Sequence, residues 1–164
     1  MAKESGPLKS FDEFRPTLQA VCVRHDVVLA YLYGSQARGT AGPLSDVDVA
    51  VQFRVELAGN ERLKQLLAVM GEFMDIFHRE DVFVADLADA TPLLRFQVYQ
   101  EGRLLYCQDE AIRIKFLTEA LRDYEDTRPL REIQRRYLLQ RIAEGTFGRQ
   151  RTVMAEKRAK YGAK

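Results

Sequence analysis

The chain has 164 residues, 46% of them hydrophobic and 30% charged, with a formal net charge of +1 at pH 7; this size predicts one compact domain with a single core and at most a helical appendage. The near-balanced charge gives no general attraction for nucleic acids or membranes, so we do not expect a nucleic-acid partner unless a local feature argues for one. No apolar run approaches the roughly 20 residues that span a bilayer, and the N-terminus lacks the apolar stretch of a signal peptide, so we expect a cytoplasmic protein with no membrane partner.

The first elements along the chain are a helix, a buried strand and a strand with one polar face. Apolar residues at helical spacing after Ser10 predict the helix, although Pro16 can shift where it begins. Residues 27–33, VVLAYLY, form a β-branched and aromatic run that is typical of a buried strand, and Gly34 ends it. After a loop, residues 46–53 alternate polar and apolar side chains, which predicts a strand with its polar residues on one face.

The next segments continue this mixed order of helices and strands. Residues 60–77 repeat apolar side chains at helical spacing and predict an amphipathic helix, and residues 81–87, DVFVADL, predict a third strand. A Thr-Pro pair at residues 91–92 is typical of a helix start and begins a short helix that ends near residue 100. After a glycine, residues 103–107 predict a short closing strand.

Together these elements predict an α/β (α+β) protein in which helices flank a small mixed β-sheet. Residues 1–108 contain all the predicted strands, and residues 109–145 predict a C-terminal helical extension of two helices with a break at residues 127–129. Residues 146–164 are basic and poor in apolar side chains. We interpret them as a solvated, disordered tail, with contact to a partner or to RNA as the alternative.

The cysteines and histidines give no pattern for a metal site. Cys22 and Cys107 stand far apart among apolar neighbours, without CxxC spacing, which predicts buried, reduced thiols rather than structural zinc. His25 and His78 lie at the ends of predicted elements, and we interpret both as ordinary surface or boundary residues.

The segment that carries chemical information is YLYGSQARGTAGPLSDVDVAVQF, residues 31–53. Gly34 and Ser35 end one strand, ten residues intervene, and Asp46 and Asp48 open the next strand. Gly34 permits a close backbone approach, while Ser35 and the amides after it can hold phosphate oxygens. The two aspartates are two apart on a strand and therefore point to the same face, where they can hold Mg²⁺ against a triphosphate.

The combination of these features is more specific than any one of them. A Gly-Ser turn or a pair of aspartates alone is common on protein surfaces. Two carboxylates on one strand face, however, repel each other unless a cation lies between them. In the intervening loop, Arg38 is placed to meet a phosphate, although an exposed loop arginine is an equally good interpretation.

The order Gly-Ser, ten residues, Asp-x-Asp resembles the polymerase-β-type nucleotidyltransferase superfamily, specifically its minimal nucleotidyltransferase (MNT) group. Residues 80–106 and the two helices after them are also similar to that group, so the resemblance covers most of the chain except the tail. It implies a nucleotide-binding α/β fold that transfers NMP from ATP or another NTP in the presence of Mg²⁺. Many members pair with a helical toxin of the HEPN ribonuclease class and act as its antitoxin, in some cases by adenylylating the toxin.

The departure from this group concerns a third carboxylate, which would help to deprotonate the attacking hydroxyl as a general base. In the group it comes from a strand of the type Val-Asp-Leu-Val-Asp-Leu, and a gapless alignment puts Phe83 at the first aspartate and Asp86 at the second. Alternation places Asp81 on the same face as Phe83, so Asp81 is the candidate in the gapless register. Asp86 reaches the site only through a register shift.

The leading hypothesis is a Mg²⁺-dependent nucleotidyltransferase that transfers NMP, by resemblance AMP, to a protein acceptor, as the antitoxin of a HEPN/MNT toxin–antitoxin pair. Its site residues are the metal ligands Asp46 and Asp48, the further catalytic carboxylate Asp81, and the phosphate-binding Gly34, Ser35 and Arg38. The chain is short for a separate domain that binds an acceptor as large as tRNA, and a small acceptor such as an aminoglycoside is the less favoured variant. The rival hypothesis, which Phe83 favours, is a catalytically degenerate antitoxin that neutralises a helical partner by contact through its C-terminal helices. RNA binding through the tail ranks below both.

Overall fold

The computed structural model describes residues 13–55 and 59–147. In chain order the described elements are α1 (Arg15–Arg24), β1 (Val27–Tyr33), α2 (Gly34–Arg38), β2 (Val47–Phe53), α3 (Gly59–Phe77), β3 (Val82–Asp86), α4 (Pro92–Glu101), β4 (Arg103–Cys107), α5 (Glu110–Asp126) and α6 (Arg128–Ala143). The chain divides into two compact units, residues 1–126 and residues 127–164.

The four strands form one mixed sheet in the order β3-β2-β1-β4. β1 is antiparallel to both β2 and β4, whereas β2 and β3 are parallel and are connected through α3. A parallel connection needs a crossover of roughly a dozen residues or more, usually a helix, and α3 supplies it. The predicted fold class, a small mixed sheet flanked by helices, is confirmed.

Helices cover both faces of this sheet because its central strands are apolar on both sides. The valines of β2 point to one face, where they pack with buried residues of α1 and α3 such as Leu18 and Phe73. On the opposite face Ala50 belongs to a second cluster with Val98 of α4 and Phe116 of α5. By strand alternation Asp48 lies on the same face as Ala50, near the N-terminal end of β2.

Most predicted element bounds agree with the structure to within a residue or two. α1 begins at Arg15 with Pro16 in its first turn, so the proline does shift the start, and Ser10 lies outside the described residues. β1 and β4 have the predicted bounds. The segment after β1, which we predicted as a loop, instead begins with the short helix α2. β2 begins at Val47, one residue after Asp46.

Local signals explain where two of the helices begin and end. The Thr91 hydroxyl accepts a hydrogen bond from the N–H of Leu94 at 3.2 Å, and this cap precedes the proline that opens α4. α3 ends at Phe77 because His78 adopts a left-handed φ of 52°. The N–H of Arg79 then donates to the carbonyl of Met74 at 3.0 Å, as in a Schellman-type helix end.

The second unit is described from Thr127 to residue 147 and consists mainly of α6, after the predicted break. No residue of α6 is buried. Its exposed apolar side chains are Leu130, Ile133, Tyr137, Leu138, Leu139 and Ile142. We grouped α5 with the C-terminal extension, but it belongs to the first unit, where Phe116 and Ala120 enter the core. The domain boundary at residue 108 stays a prediction. Residues 148–164, most of the predicted tail, lie outside the described part.

The two cysteines differ in their surroundings, although neither forms a disulfide. Cys22 on α1 is fully buried, as predicted. Cys107 is only partly buried, because it ends the edge strand β4, so the expectation of a buried thiol is wrong there. Among the described helices, none has the length and apolar character needed to cross a membrane.

Candidate functional site

The backbone at the end of β1 lies directly against the carboxylate of Asp48. Tyr33, the last residue of β1, is paired with Asp48 in the antiparallel register, and Gly34 follows with a φ of 72°. A Cβ atom at Gly34 would lie 2.5 Å from the Asp48 Oδ2 atom, closer than real Cβ contacts come. The left-handed backbone favours glycine at this position, and a side chain here would also force the Asp48 carboxylate to move.

The carboxylates of Asp46 and Asp48 act on each other. Asp46 is exposed and Asp48 is half-buried. Burial raises the pKa of the Asp48 carboxyl, the charge of Asp46 raises it further, and the charge of Arg38 lowers it. Burial and the Asp48 charge likewise raise the pKa of Tyr33. Two neighbouring carboxylates with this mutual repulsion favour a cation between them.

Ser35 and Arg38, the other predicted phosphate-binding residues, lie on α2 next to this pair. The carbonyl of Ser35 accepts a hydrogen bond from the N–H of Thr40 at 3.0 Å, which closes the turn after α2. Arg38 forms an ion pair with Glu101 of α4, with 2.7 Å between Nη1 and Oε2. Both side chains of that pair are about two-fifths exposed, at 41% and 38%, so the pair is an exposed one that contributes little to stability and can be exchanged at small cost.

Asp81 lies immediately before β3, and an arginine binds both of its carboxylate oxygens. Arg79 donates from Nε to Asp81 Oδ1 at 2.7 Å and from Nη2 to Asp81 Oδ2 at 2.6 Å. Nη2 also donates to the Ser45 carbonyl at 2.6 Å. The Arg79 side chain is 2% exposed, whereas that of Asp81 is 39% exposed. Both oxygens of Asp81 therefore already accept a hydrogen bond from a cation, unlike those of an unpaired catalytic carboxylate.

Phe83 and Asp86 occupy the positions that the gapless register predicts. The parallel pairing of β2 and β3 has no shift and sets Phe83 beside Asp48 and Asp86 beside Val51. Phe83 is 56% exposed. Asp86 is buried at the other end of the pairing, where it forms an ion pair with Arg62 at 2.8 Å. A cavity whose lining includes Arg62 and Asp86 lies at that far end of β2, away from Asp48.

The structure thus brings several of the predicted site residues together with Phe83. Gly34, Asp46 and Arg38 act on the Asp48 carboxylate by contact or by charge, and Ser35 follows Gly34 on α2. Asp81 is adjacent in the sheet but bound to an arginine, and Asp86 is at the other end of the strand. Sequence reasoning missed Arg79, which lies between the end of α3 and the start of β3, outside any periodic pattern.

The donor set fits a metal ion that arrives with a nucleotide. Within residues 13–55 and 59–147, no group of three or more His, Cys, Asp or Glu side chains could hold an ion by itself. Mg²⁺ commonly binds one or two carboxylates together with substrate phosphates and water, rather than a complete protein cage. Two hard oxygen ligands on one strand face, beside a backbone approach that leaves no room for a side chain at Gly34, match that requirement.

The sequence model of the family described as polymerase beta, nucleotidyltransferase matches residues 17–111, which include the sheet and every candidate site residue. The chain belongs to this family. The predicted resemblance is therefore confirmed at the level of the family, and a nucleotidyltransferase domain is established. None of the curated proteins compared with the chain matches it.

Solved structures share the fold of this chain. A chain of a toxin–antitoxin complex with AMP-PNP has a TM-score of 0.64 at 20% identity, and the match covers 76% of this chain and 98% of that one. A chain from the complex of a tri-AMPylated HEPN toxin of Shewanella oneidensis with an MNT antitoxin has a TM-score of 0.63 at 17% identity, with 79% and 99% covered. A further Shewanella oneidensis structure has a TM-score of 0.62 at 16% identity, with 77% and 97% covered. At these identities the likeness concerns the fold.

Proposed function

We propose that this nucleotidyltransferase transfers NMP, in the first instance AMP, from a nucleoside triphosphate to a protein acceptor in the presence of Mg²⁺. The observation that carries the proposal is the contact geometry of Gly34 and Asp48. The glycine backbone stands where a side chain would collide with the carboxylate, which keeps the space above Asp46 and Asp48 open to a phosphate chain. Loss of that space or of the two carboxylates would remove the site.

Each residue has a distinct part in the proposed site. Asp46 and Asp48 would hold the metal ion, and Ser35 with the backbone after Gly34 would bind phosphate oxygens. Arg38 would exchange its exposed partner Glu101 for a phosphate, a change that costs little because exposed ion pairs are weak. Mg²⁺ bound with the nucleotide would neutralise phosphate charge and orient the α-phosphoryl group for in-line attack.

The proposed transfer can be written as one displacement. An acceptor hydroxyl oxygen bonds to the α-phosphorus, the bond from that phosphorus to the bridging oxygen breaks, and pyrophosphate leaves. The hydroxyl proton must pass to a base. Asp81 is the third carboxylate of the proposal, and it would take that proton on an oxygen that also accepts a hydrogen bond from Arg79.

We further propose that the acceptor is a helical toxin of the HEPN class, with this chain as its antitoxin. Two of the structures that share the fold belong to toxin–antitoxin complexes, and one of these contains an AMPylated HEPN toxin. This chain matches at least 97% of the length of the three chains compared above, so their whole fold is represented here. This likeness supports the partner class.

A second candidate function is a degenerate antitoxin that binds its partner without modifying it. The specific observation in its favour is that Phe83 stands beside Asp48 on the sheet, at the position of the missing carboxylate. The candidate that precedes β3, Asp81, is bound by Arg79 through both oxygens. Under this reading the protein can still hold Mg²⁺ and a nucleotide, but it transfers no nucleotide to any partner.

Nucleotide binding is tested first, with the Asp46→Asn/Asp48→Asn double variant. We expect ATP with Mg²⁺ to raise the melting temperature of the wild-type protein, and neither the double variant nor wild type with EDTA to show that rise. Asp75→Asn, which changes an exposed aspartate of α3, is the control and should behave like wild type. An equal shift in the double variant would exclude the proposed site.

Transfer is tested with labelled ATP, Mg²⁺ and the product of the neighbouring gene as the candidate partner. Mass spectrometry of the partner should detect the added mass of one or more AMP groups, and the label should be lost with the double aspartate variant. Complex formation without any added nucleotide would support the degenerate antitoxin and contradict the transferase.

A further inference from the structure

Arg79 enters the site from a backbone position that the end of α3 fixes. The left-handed conformation of His78 stops the helix, and the N–H of Arg79 is held by the Met74 carbonyl at 3.0 Å. The side chain then runs inward, and only 2% of it remains exposed. A long charged side chain is almost never buried to this extent unless it is paired.

The guanidinium connects the start of β3 to the peptide that precedes Asp46. Two of its hydrogen bonds go to Asp81, and a third goes from Nη2 to the Ser45 carbonyl at 2.6 Å. The Asp81 carbonyl in turn accepts a hydrogen bond from the N–H of Val47 at 2.9 Å. Asp46 therefore lies between two peptides that are both tied to residues 79–81, one before it and one after it.

Ser45 is also held from its other side. Its N–H donates to the Gly42 carbonyl at 3.1 Å, and its Oγ accepts from the Gly42 N–H at 2.9 Å, so a closed turn ends at Ser45. The carbonyl of Ser45 is left to face Arg79. Asp46 is exposed, so its position in the site depends on its backbone, which the turn and the arginine hold on the Ser45 side.

Charge supports the same assignment. The hydrogen bonds to Asp81 raise the pKa of Arg79 most, and the charge of Asp46 raises it as well, so the guanidinium and the Asp46 carboxylate attract each other. A fixed positive charge near Asp46 offsets part of the repulsion between Asp46 and Asp48 before any cation binds. The other arginine–aspartate pair at β3, Arg62 with Asp86, lies at the opposite end of the β2–β3 pairing from Asp48.

We propose that Arg79 is a positioning residue of the nucleotide and metal site, which aligns Asp46 with Asp48 by anchoring the Ser45 peptide and by binding Asp81. This inference rests on the proposed function, because it assigns a role at the same site. Partners that orient metal ligands typically contribute about tenfold to a hundredfold in metal affinity. Arg79 should contribute in that range.

The test measures binding of Mn²⁺, as a probe for Mg²⁺, to the protein–ATP complex by the loss of the free Mn²⁺ signal in electron paramagnetic resonance beyond the loss that the same ATP concentration causes without protein. Arg79→Gln should weaken Mn²⁺ binding about tenfold to a hundredfold. Arg79→Lys keeps the charge and can still donate to Ser45, so it should recover part of the affinity. Arg62→Gln, which breaks the matched ion pair with Asp86 at the far end of β2, should lower the melting temperature without changing Mn²⁺ affinity.

The possible results separate this inference from the proposed function. If wild type does not bind Mn²⁺ with ATP, the proposed function fails. If wild type binds, the Asp46→Asn/Asp48→Asn variant does not, and Arg79→Gln binds like wild type, only the role of Arg79 is excluded. If Arg62→Gln weakens Mn²⁺ binding as much as Arg79→Gln does, the role of Arg79 is also excluded, because the loss of affinity would then follow from the loss of stability.

Should Arg79→Gln not fold, the Arg79→Met/Asp81→Leu variant replaces both members of the pair by apolar side chains, so that neither charge is left without its partner. It lacks the Ser45 anchor too, and we expect the same loss of Mn²⁺ affinity. Wild-type affinity in this folded variant would overturn the proposal.

Discussion

A comparison of the Gly34→Ala variant with Gly39→Ala, its matched control, separates the effect of backbone strain from the effect of the contact with Asp48. Both glycines have a φ of 72°. A Cβ at Gly34 would lie 2.5 Å from the Asp48 Oδ2 atom, whereas a Cβ at Gly39 would meet nothing within 4 Å. The left-handed backbone alone costs about 1–2 kcal/mol for an alanine, so both variants should lose about that much stability. The extra cost at Gly34 is small, because the end of the Asp48 side chain can rotate away.

That rotation should remove function while leaving the stabilities of the two variants similar. Melting temperatures fall by roughly 3–6 °C per kcal/mol for a domain of this size. At an ATP concentration of about 100 times Kd, binding stabilises a protein by about 2.7 kcal/mol, and we expect Gly39→Ala to retain this increment and Gly34→Ala to lose most of it. The measurement is thermal unfolding with and without ATP and Mg²⁺. Wild-type nucleotide binding by Gly34→Ala, or equal loss by Gly39→Ala, would refute the argument from the close approach.

Three further predictions concern the metal-free protein. Because the pKa of Asp48 is raised in the folded protein, this carboxyl contributes stability below its unfolded-state pKa of about 3.9 and loses that contribution as the pH rises through the folded-state pKa. Asp48→Asn should therefore raise the free energy of unfolding at pH 7 by about 1 kcal/mol. This gain should vanish in acid denaturation below a pH of about 3.5. Burial raises the pKa of the Cys22 thiol to about 12, so a thiol reagent should label one cysteine in the native protein, none in Cys107→Ser, and two in denatured wild type. Gly102→Ala should lower the free energy of unfolding in urea by about 1–3 kcal/mol, because its Cβ would lie 2.3 Å from the Val98 carbonyl oxygen. ATP binding should stay intact. An unchanged free energy of unfolding would mean that the α4–β4 junction can relax.

The elements with strong local patterns could be predicted from the sequence, and the short or long-range features could not. β1 is a continuous β-branched and aromatic run, and α3 repeats its apolar stripe over 19 residues, so both were predicted to within one residue. α2 has only 5 residues, too few for a periodic signal. The helical character of α5 was also clear, but its membership in the first unit depends on Phe116 and Ala120 packing on the sheet, and helical spacing alone does not specify that partner.

The site residues that could be predicted from the sequence are those that are close together in the chain or related by strand alternation. The Gly-Ser and Asp-x-Asp spacing predicted that Gly34 and Asp48 belong together, and alternation predicted that Phe83 rather than Asp86 faces the acidic pair. Arg79 could not be placed in the same way. A single arginine after a helix has no periodicity that shows whether it turns inward, and its bond to the Ser45 carbonyl joins residues 34 positions apart.

The register of β3 leaves little freedom for a third carboxylate, and this makes Phe83→Asp an informative variant. Val82 is buried against α3, so a register shift of one residue would expose it and turn every side chain of the strand to the other face. A register shift therefore cannot bring Asp86 to the acidic pair. Phe83 is 56% exposed, and replacing it should cost little stability. The new carboxylate would stand beside Asp48 and be free of Arg79. If transfer by wild type is slow because it lacks a base, Phe83→Asp should raise the rate by about 100-fold, a typical contribution of general base catalysis. Equal rates of AMP incorporation in the two proteins would show that a base at this position does not limit the reaction, and that Asp81 or the acceptor itself supplies one.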